Sequence, residues 1–220
     1  MPAIPRIAQY ADELPRWRHE IHAHPALGFE EERTTALVAE GLTRLGCEVH
    51  RGIGGAGVVG VLCQGNGPKT IGLRADMDAL PIAEETPNAF ASEAPGVMHA
   101  CGHDAHMAIL LGAAALAAQR KDELHGTLCL VFQPAEEGHG GAQAMIDDGL
   151  FERFGIERMY GLQLWSTHAA VMLGFRPGPV YASADFFEIE VLGRGGHASA
   201  PNTAIDAICV AAGFVTTVQQ

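Results

Sequence analysis

Positive charge is scarce in this 220-residue chain. Lys and Arg number 14 against 26 Asp and Glu, for a formal net charge of -12 with histidine neutral. Nucleic-acid binding needs a basic face to neutralise phosphates, and a peripheral membrane site needs clustered Lys or Arg, so neither partner is expected. Long apolar runs are also missing. The longest, around "AILLGAAALAA", falls short of the roughly 20 residues that span a bilayer and reads as a buried helix. An even, regularly spaced cysteine set is absent too. Cys47, Cys63, Cys101, Cys129 and Cys209 are five and scattered, and the first twenty residues carry no charged-then-apolar secretion pattern. Reduced thiols in a cytoplasmic protein are predicted, not a disulfide framework. Four of these cysteines lie in apolar or small-residue contexts and are expected to be inert core thiols; Cys101 differs. What the chain has is a 48% hydrophobic share with only 18% charge. That composition predicts a sizeable core, in one large domain or one domain plus part of another.

Periodicity places the elements. Residues 12–45 have helical apolar spacing at Leu37, Val38, Leu42 and Leu45, interrupted at His24-Pro25 and closed by Gly46 as a C-cap. Two helices with a loop near Pro25–Phe29 follow. "GVVGVLCQG" reads as a strand ended by "GNGP", and "TIGLRADMDAL" as a second, apolar until Leu73 and then polar. An Ala-rich helix runs from Ala105 to about Lys121. "TLCLVFQPAEEG", "MYGLQLWS" and "DFFEIEVLGRGG" read as strands, and "AIDAICVAAGFVTTVQQ" begins a helix. Alternating strands and helices predict an α/β sheet covered on both faces. Polar residues gather where strands end, at Arg74-Asp76-Asp78, Gln133-Glu136-Glu137 and Gln163, and carboxyl ends of strands are where open α/β sheets build sites. Pro177, Gly178 and Pro179 punctuate a boundary in "RPGPVYASAD".

The densest chemistry lies in "GVMHACGHDAHM", which holds His99, Cys101, His103, Asp104 and His106 within eight positions. In an extended loop Cys101 and His103, at i and i+2, face the same side. A thiolate and an imidazole so presented suit a borderline-soft divalent ion such as Zn²⁺, and Gly102 between them allows close approach. The plainer alternative is a buried cysteine beside a helix-capping His-Asp pair. In "QPAEEG" two adjacent carboxylates follow an apolar strand and a proline. Neighbouring side chains there point in different directions, so one can bind metal while the other takes the proton of an acidified water. The plainer alternative is a solvated acidic loop.

Five stretches in order, "RHEIHAHPALGFEEERT", "LRADMDALPI", "GVMHACGHDAHMA", "VFQPAEEG" and "GRGGHASAP", resemble the metal-dependent amidohydrolases of the M20 peptidase family, in its hippurate hydrolase and aminoacylase-like branch. The resemblance implies a zinc-peptidase-like three-layer α/β/α catalytic domain over residues 1–182. It also implies the start of a smaller α+β satellite domain, through which relatives dimerise, over 183–220. Two divalent ions (Zn, Mn, Co or Ni) would occupy an intact site. Cys101 matches the thiolate bridging both, His103 and Glu137 match ligands, and Glu136 matches the general base. Asp76 matches an acidic residue near the metals, read as orienting a ligand imidazole. His197 matches a satellite-domain histidine that reaches the partner subunit's site and supports the oxyanion. His99, Asp104 and His106 are read as shaping the loop, and His19, His22 and His24 as packing the helix and anchoring the loop near the cleft. The implied substrate is an N-acyl amino acid or similar small acylated amine, in a homodimer.

Two departures bear on this. Gln163, in "YGLQLWS", stands where the family has a ligand histidine. An amide oxygen is a weak donor, so the metal at Cys101 and His103 is expected to be weakly held or absent. Relatives are also considerably longer and supply a last histidine ligand near their C-terminus, so this chain is expected to be a fragment. A non-catalytic metal- or ligand-binding relative is therefore the rival reading. A cysteine hydrolase using Cys101 would leave the Glu-Glu pair unexplained and lacks a nucleophile elbow.

Overall fold

The computed structural model describes residues 8–169 and 172–219. The first seven residues of the stretch read above for a secretion signal, and Gln220 of the stretch read as beginning a helix, lie outside the described residues. The chain divides into two units, Met1–Gly174 and Phe175–Gln220.

In the first unit the elements run α1 (Glu13–Ala23), α2 (Glu32–Arg44), β1 (Glu48–Ile53), β2 (Gly57–Gln64), β3 (Thr70–Asp76), α3 (His103–Gln119), β4 (Gly126–Gln133), α4 (Gly141–Asp147), α5 (Leu150–Phe154) and β5 (Arg158–Gly161). The strands form one mixed sheet in the order β1-β2-β4-β3-β5. β1, β2 and β4 are antiparallel neighbours, while β3 pairs in parallel with both β4 and β5. Both faces are covered. Val58 and Leu62 of β2 and Leu130 and Phe132 of β4 pack with Trp17, Leu42, Met107 and Leu111 from α1, α2 and α3. The alternate residues Val59, Cys129 and Val131 pack with Met145 and Leu150 on the opposite face. Successive strand residues face opposite sides of a sheet, so β4 can be apolar throughout because each face has its own layer. Burying one such Leu or Phe contributes roughly 1.5–3 kcal/mol. The result is the three-layer α/β/α architecture.

Local signals explain several boundaries. At the end of α2 the Cys47 N–H donates to the Leu42 carbonyl and the Gly46 N–H to that of Thr43, with Gly46 at φ 79°. This is a Schellman cap, and the left-handed position requires the glycine. β1 was not anticipated, because "EVHRGI" is polar and only Ile53 is buried. The short α4 and α5 were not anticipated either. Two cysteines expected in the core, Cys63 and Cys209, are exposed; only Cys47 and Cys129 are buried. Cys63 sits at the end of β2, where burial runs out.

The second unit departs from expectation. "DFFEIEVLGRGG" forms no strand among the described residues; the pairing there is a single antiparallel bridge between Arg194 and Ile205. A strand needs a neighbour to satisfy its backbone, and among the described residues no strand pairs with this stretch. Phe186 and Phe187 are exposed accordingly. The unit's regular element is α6 (Ala207–Val218), whose N-cap Asp206 accepts from the N–H groups of Ile208 and Cys209.

Candidate metal centre

The parallel strands β3, β4 and β5 end on the same edge of the sheet, and the candidate residues collect there. Asp76 closes β3, with Asp78 just beyond, and Glu136 and Glu137 follow β4. Gln163 follows β5, and Cys101 and His103 open α3. The convergence of Cys101 and His103 has a different cause from the extended loop expected. Gly102 is the N-cap of α3 at φ 91°, and His103 is already helical. A Cβ at Gly102 would meet nothing closer than Leu164 at 3.5 Å, so backbone conformation, not space, calls for glycine.

His103 is buried. Its Nδ1 lies 2.8 Å from the Asp78 backbone carbonyl, which fixes the ring. Its Nε2 is buried with no hydrogen-bond partner and faces carboxylates: Asp76 Oδ2 at 3.6 Å, Glu137 Oε1 at 3.8 Å and Glu136 Oε2 at 3.9 Å. Glu137 Oε1 is likewise buried and unpartnered. The donor atoms of Cys101, His103 and Glu137 lie within 4.8 Å of one another. Burial would lower the His103 pKa, but Asp78 and Cys101 outweigh it and push it up to about 11, so the spot strongly favours positive charge. Unpartnered donors converging under excess negative charge fit a divalent cation. A sulfur, nitrogen and oxygen set suits zinc-like ions.

His106 contrasts with His103. Its Nδ1 donates to Asp76 Oδ1 at 2.6 Å and its Nε2 accepts from the Leu164 N–H at 3.0 Å. Asp76, His103 and His106 also have donor atoms within 4.8 Å. However, both His106 nitrogens are engaged, and Asp76 Oδ2 takes the Arg74 guanidinium at 2.7 Å. That grouping supports the site more than it offers a pocket. Asp76 therefore holds His106 directly and sits beside the open nitrogen of His103, whose ring Asp78 orients. Burial would raise both aspartates, but their partners outweigh it and hold them below the usual carboxylate range: chiefly His106 and Arg74 for Asp76, and His103 with the Glu137 N–H for Asp78.

Glu136 is 40% exposed at the open side. Burial, then the neighbouring Glu137, raises its pKa. The turn before it is strained. Ala135 is left-handed at φ 52°, which costs a non-glycine residue about 1–2 kcal/mol. The Gln163 side-chain N–H₂ points at Cys101, 3.4 Å from its Sγ and 3.5 Å from its carbonyl. On the far side of α3, Asp104 takes Arg18 and His22, and His22 also reaches Glu84. This network ties α1 to α3, in keeping with a loop-shaping role for Asp104. His99 is buried with both ring nitrogens unpartnered.

Thus Cys101, His103, Glu136, Glu137, Asp76 and Gln163 gather at one edge, while His197 belongs to the second unit, where its Nδ1 lies 2.8 Å from Ser199 Oγ. Sequence reasoning missed Asp78 as the support of His103 and of the Glu137 N–H, which it accepts at 2.9 Å. The D-x-D spacing at a strand end was the signal available.

The strand exits thus converge on a thiol, an imidazole and a carboxylate pair, a donor set that could hold a metal ion. The model of peptidase family M20/M25/M40 matches residues 72–218, and the chain belongs to that family of hydrolases. It is 48% identical over its whole length to the hippurate hydrolase of Campylobacter jejuni, covering 57% of that protein. It is 42% identical over 205 residues to the N-acyl-L-amino acid amidohydrolase of Geobacillus stearothermophilus, covering 92% of this chain and 55% of that one. Among solved structures it resembles the Bacillus subtilis YXEP protein, a dinuclear metal binding peptidase of the M20 family. There the TM-score is 0.69 at 36% identity, over 73% of this chain and 44% of that one. The chain spans about half the length of the curated relatives it matches.

Proposed function

We propose that the protein containing this chain hydrolyses the amide bond of N-acyl amino acids or related small acylated amines with a divalent metal centre. The observation that carries the reading is the convergence of Cys101, His103 and Glu137, with His103 Nε2 and Glu137 Oε1 buried and unpartnered beside a half-exposed Glu136. These three residues would hold divalent metal of the Zn, Mn, Co or Ni kind. A bound ion supplies Lewis-acid chemistry, acidifying water and polarising the amide carbonyl. Glu136 takes the proton of the attacking water and passes it to the leaving amine; its raised pKa suits both halves of that transfer. Asp78 orients the ligand imidazole, and Asp76 fixes His106 and, through it, the chain after β5. His197 would donate to the oxyanion from a second copy of the chain, in a homodimer formed through the second unit. Among the described residues no helix is long and apolar enough to cross a membrane; a cytoplasmic setting is part of the proposal.

One observation favours a second, non-catalytic reading. Gln163 turns its amide N–H₂, not its oxygen, toward Cys101, so one of two ions would lack a ligand there. A metal count per chain, run beside hydrolysis of a panel of N-acyl amino acids, separates the two. Metal with chelator-sensitive turnover supports the hydrolase. Metal without turnover in a dimer of confirmed integrity supports the binding protein.

A further inference from the structure

Glu31 reaches away from its own helix. It occupies the N-cap of α2, yet its side chain caps no N–H of that helix. It is fully buried. Instead of capping, Oε1 accepts the N–H of Ala135 at 2.8 Å, 104 residues away, and Oε2 is buried without a hydrogen-bond partner. Burying a carboxyl group is costly, and an apolar side chain would fill the space without that cost. The carboxylate is therefore there for the contact it makes.

That contact is at the bend that presents the carboxylate pair. Among the described residues two non-glycine residues are left-handed: Ala135, and Phe29, two positions before Glu31. Gly28 brings the two loops together, since a Cβ there would lie 3.0 Å from Ala135 Cα and Cβ and from the His139 ring. Ala135 is pinned at both ends. Its N–H goes to Glu31 and its carbonyl accepts the Gly141 N–H at 3.0 Å, while Asp78 takes the N–H of Glu137.

We propose that Glu31 is a positioning residue: its carboxylate holds Ala135 in the left-handed turn that aims Glu137 at Cys101 and His103 and leaves Glu136 at the open side. The inference rests on the metal reading of Glu137 given above. It explains why the N-terminal helical pair carries a buried acid facing away from its own helix.

The test compares Glu31→Gln, which keeps a carbonyl acceptor, with Glu31→Met, which has similar length and none. Two quantities are read on the whole chain well below its melting temperature: hydrogen-exchange protection of the Ala135 amide, and zinc affinity, with Glu137→Ala as the reference for loss of that ligand. Glu31→Met is expected to lose Ala135 protection and bind zinc about 10–100-fold more weakly, the usual effect of removing a support behind a ligand. Glu31→Gln is expected to keep both near the parent values. Unchanged zinc affinity in folded Glu31→Met, whatever its melting temperature, overturns the positioning role. So does loss of Ala135 protection in Glu31→Gln, which decides the matter alone should Glu31→Met not fold. A parent chain with no zinc affinity overturns the metal reading itself, which is a different result from a parent that binds zinc and a Glu31→Met that binds it equally.

Discussion

The first turn of α3 holds two neighbouring buried histidines, three residues apart, with opposite fates. His106 has both ring nitrogens engaged, by Asp76 and by the Leu164 N–H. His103 has its Nδ1 held by the Asp78 carbonyl and its Nε2 left open toward carboxylates. Burial is the same for both, so burial does not distinguish a ligand from a strut. The difference is whether a lone pair remains unspent in a pocket of the right charge. A closed imidazole stiffens the fold, and a half-closed one with an acidic surround is prepared for a cation.

Several substitutions sharpen or break that contrast. The largest effect belongs to Glu136, on the open side. In an active preparation Glu136→Gln should retain metal and lose turnover by about 10²–10⁴-fold, and steady-state rates beside a metal assay check both halves. On the closed side, His106→Ala should keep the metal stoichiometry while weakening affinity by about 10–100-fold, since it removes a support and not a donor. Titration with a competing chelator reads this directly. Gln163→His should tighten binding of the metal held by Cys101 and His103, because an imidazole is the better donor; an unchanged titration would mean that Gln163 does not serve the site. The smallest effect concerns Glu31. Burial raises its pKa, so the folded chain holds this proton more tightly than the unfolded chain does. Stability from this group is full below the ordinary carboxylate pKa and falls as pH rises toward the elevated folded value. Glu31→Gln lacks that loss. Denaturant midpoints of parent and variant should therefore diverge in the variant's favour as pH rises above the ordinary carboxylate pKa.

Much of this arrangement was legible in the sequence, and the reasons differ by element. β2 and β4 announce themselves because strands buried on both faces are continuous apolar runs. Gly46 announces the end of α2 because its conformation excludes most other residues. The Cys101-x-His103 pair and the Glu-Glu after Pro134 carry chemistry in their own letters. β1 was hidden because it is polar and mostly solvent-facing. The reading of 185–196 as strand failed for the opposite reason: its letters have strand propensity, but propensity without a neighbouring strand leaves the backbone unpaired. The roles of Asp78, His106 and Glu31 could not be read from letters at all. Each depends on a partner 25 to 104 residues away, and hydrogen-bond closure is a property of the assembled edge, not of any segment.

The most direct test is the zinc content and affinity of Cys101→Ala and His103→Ala, measured by elemental analysis and chelator competition beside the parent and His106→Ala. Loss of most of the bound metal in the first two, with stoichiometry kept in His106→Ala, is the predicted result. Retention of full zinc by Cys101→Ala or His103→Ala, or an equal loss in all three variants, would contradict the assignment of the open nitrogen and the thiolate as the metal's ligands.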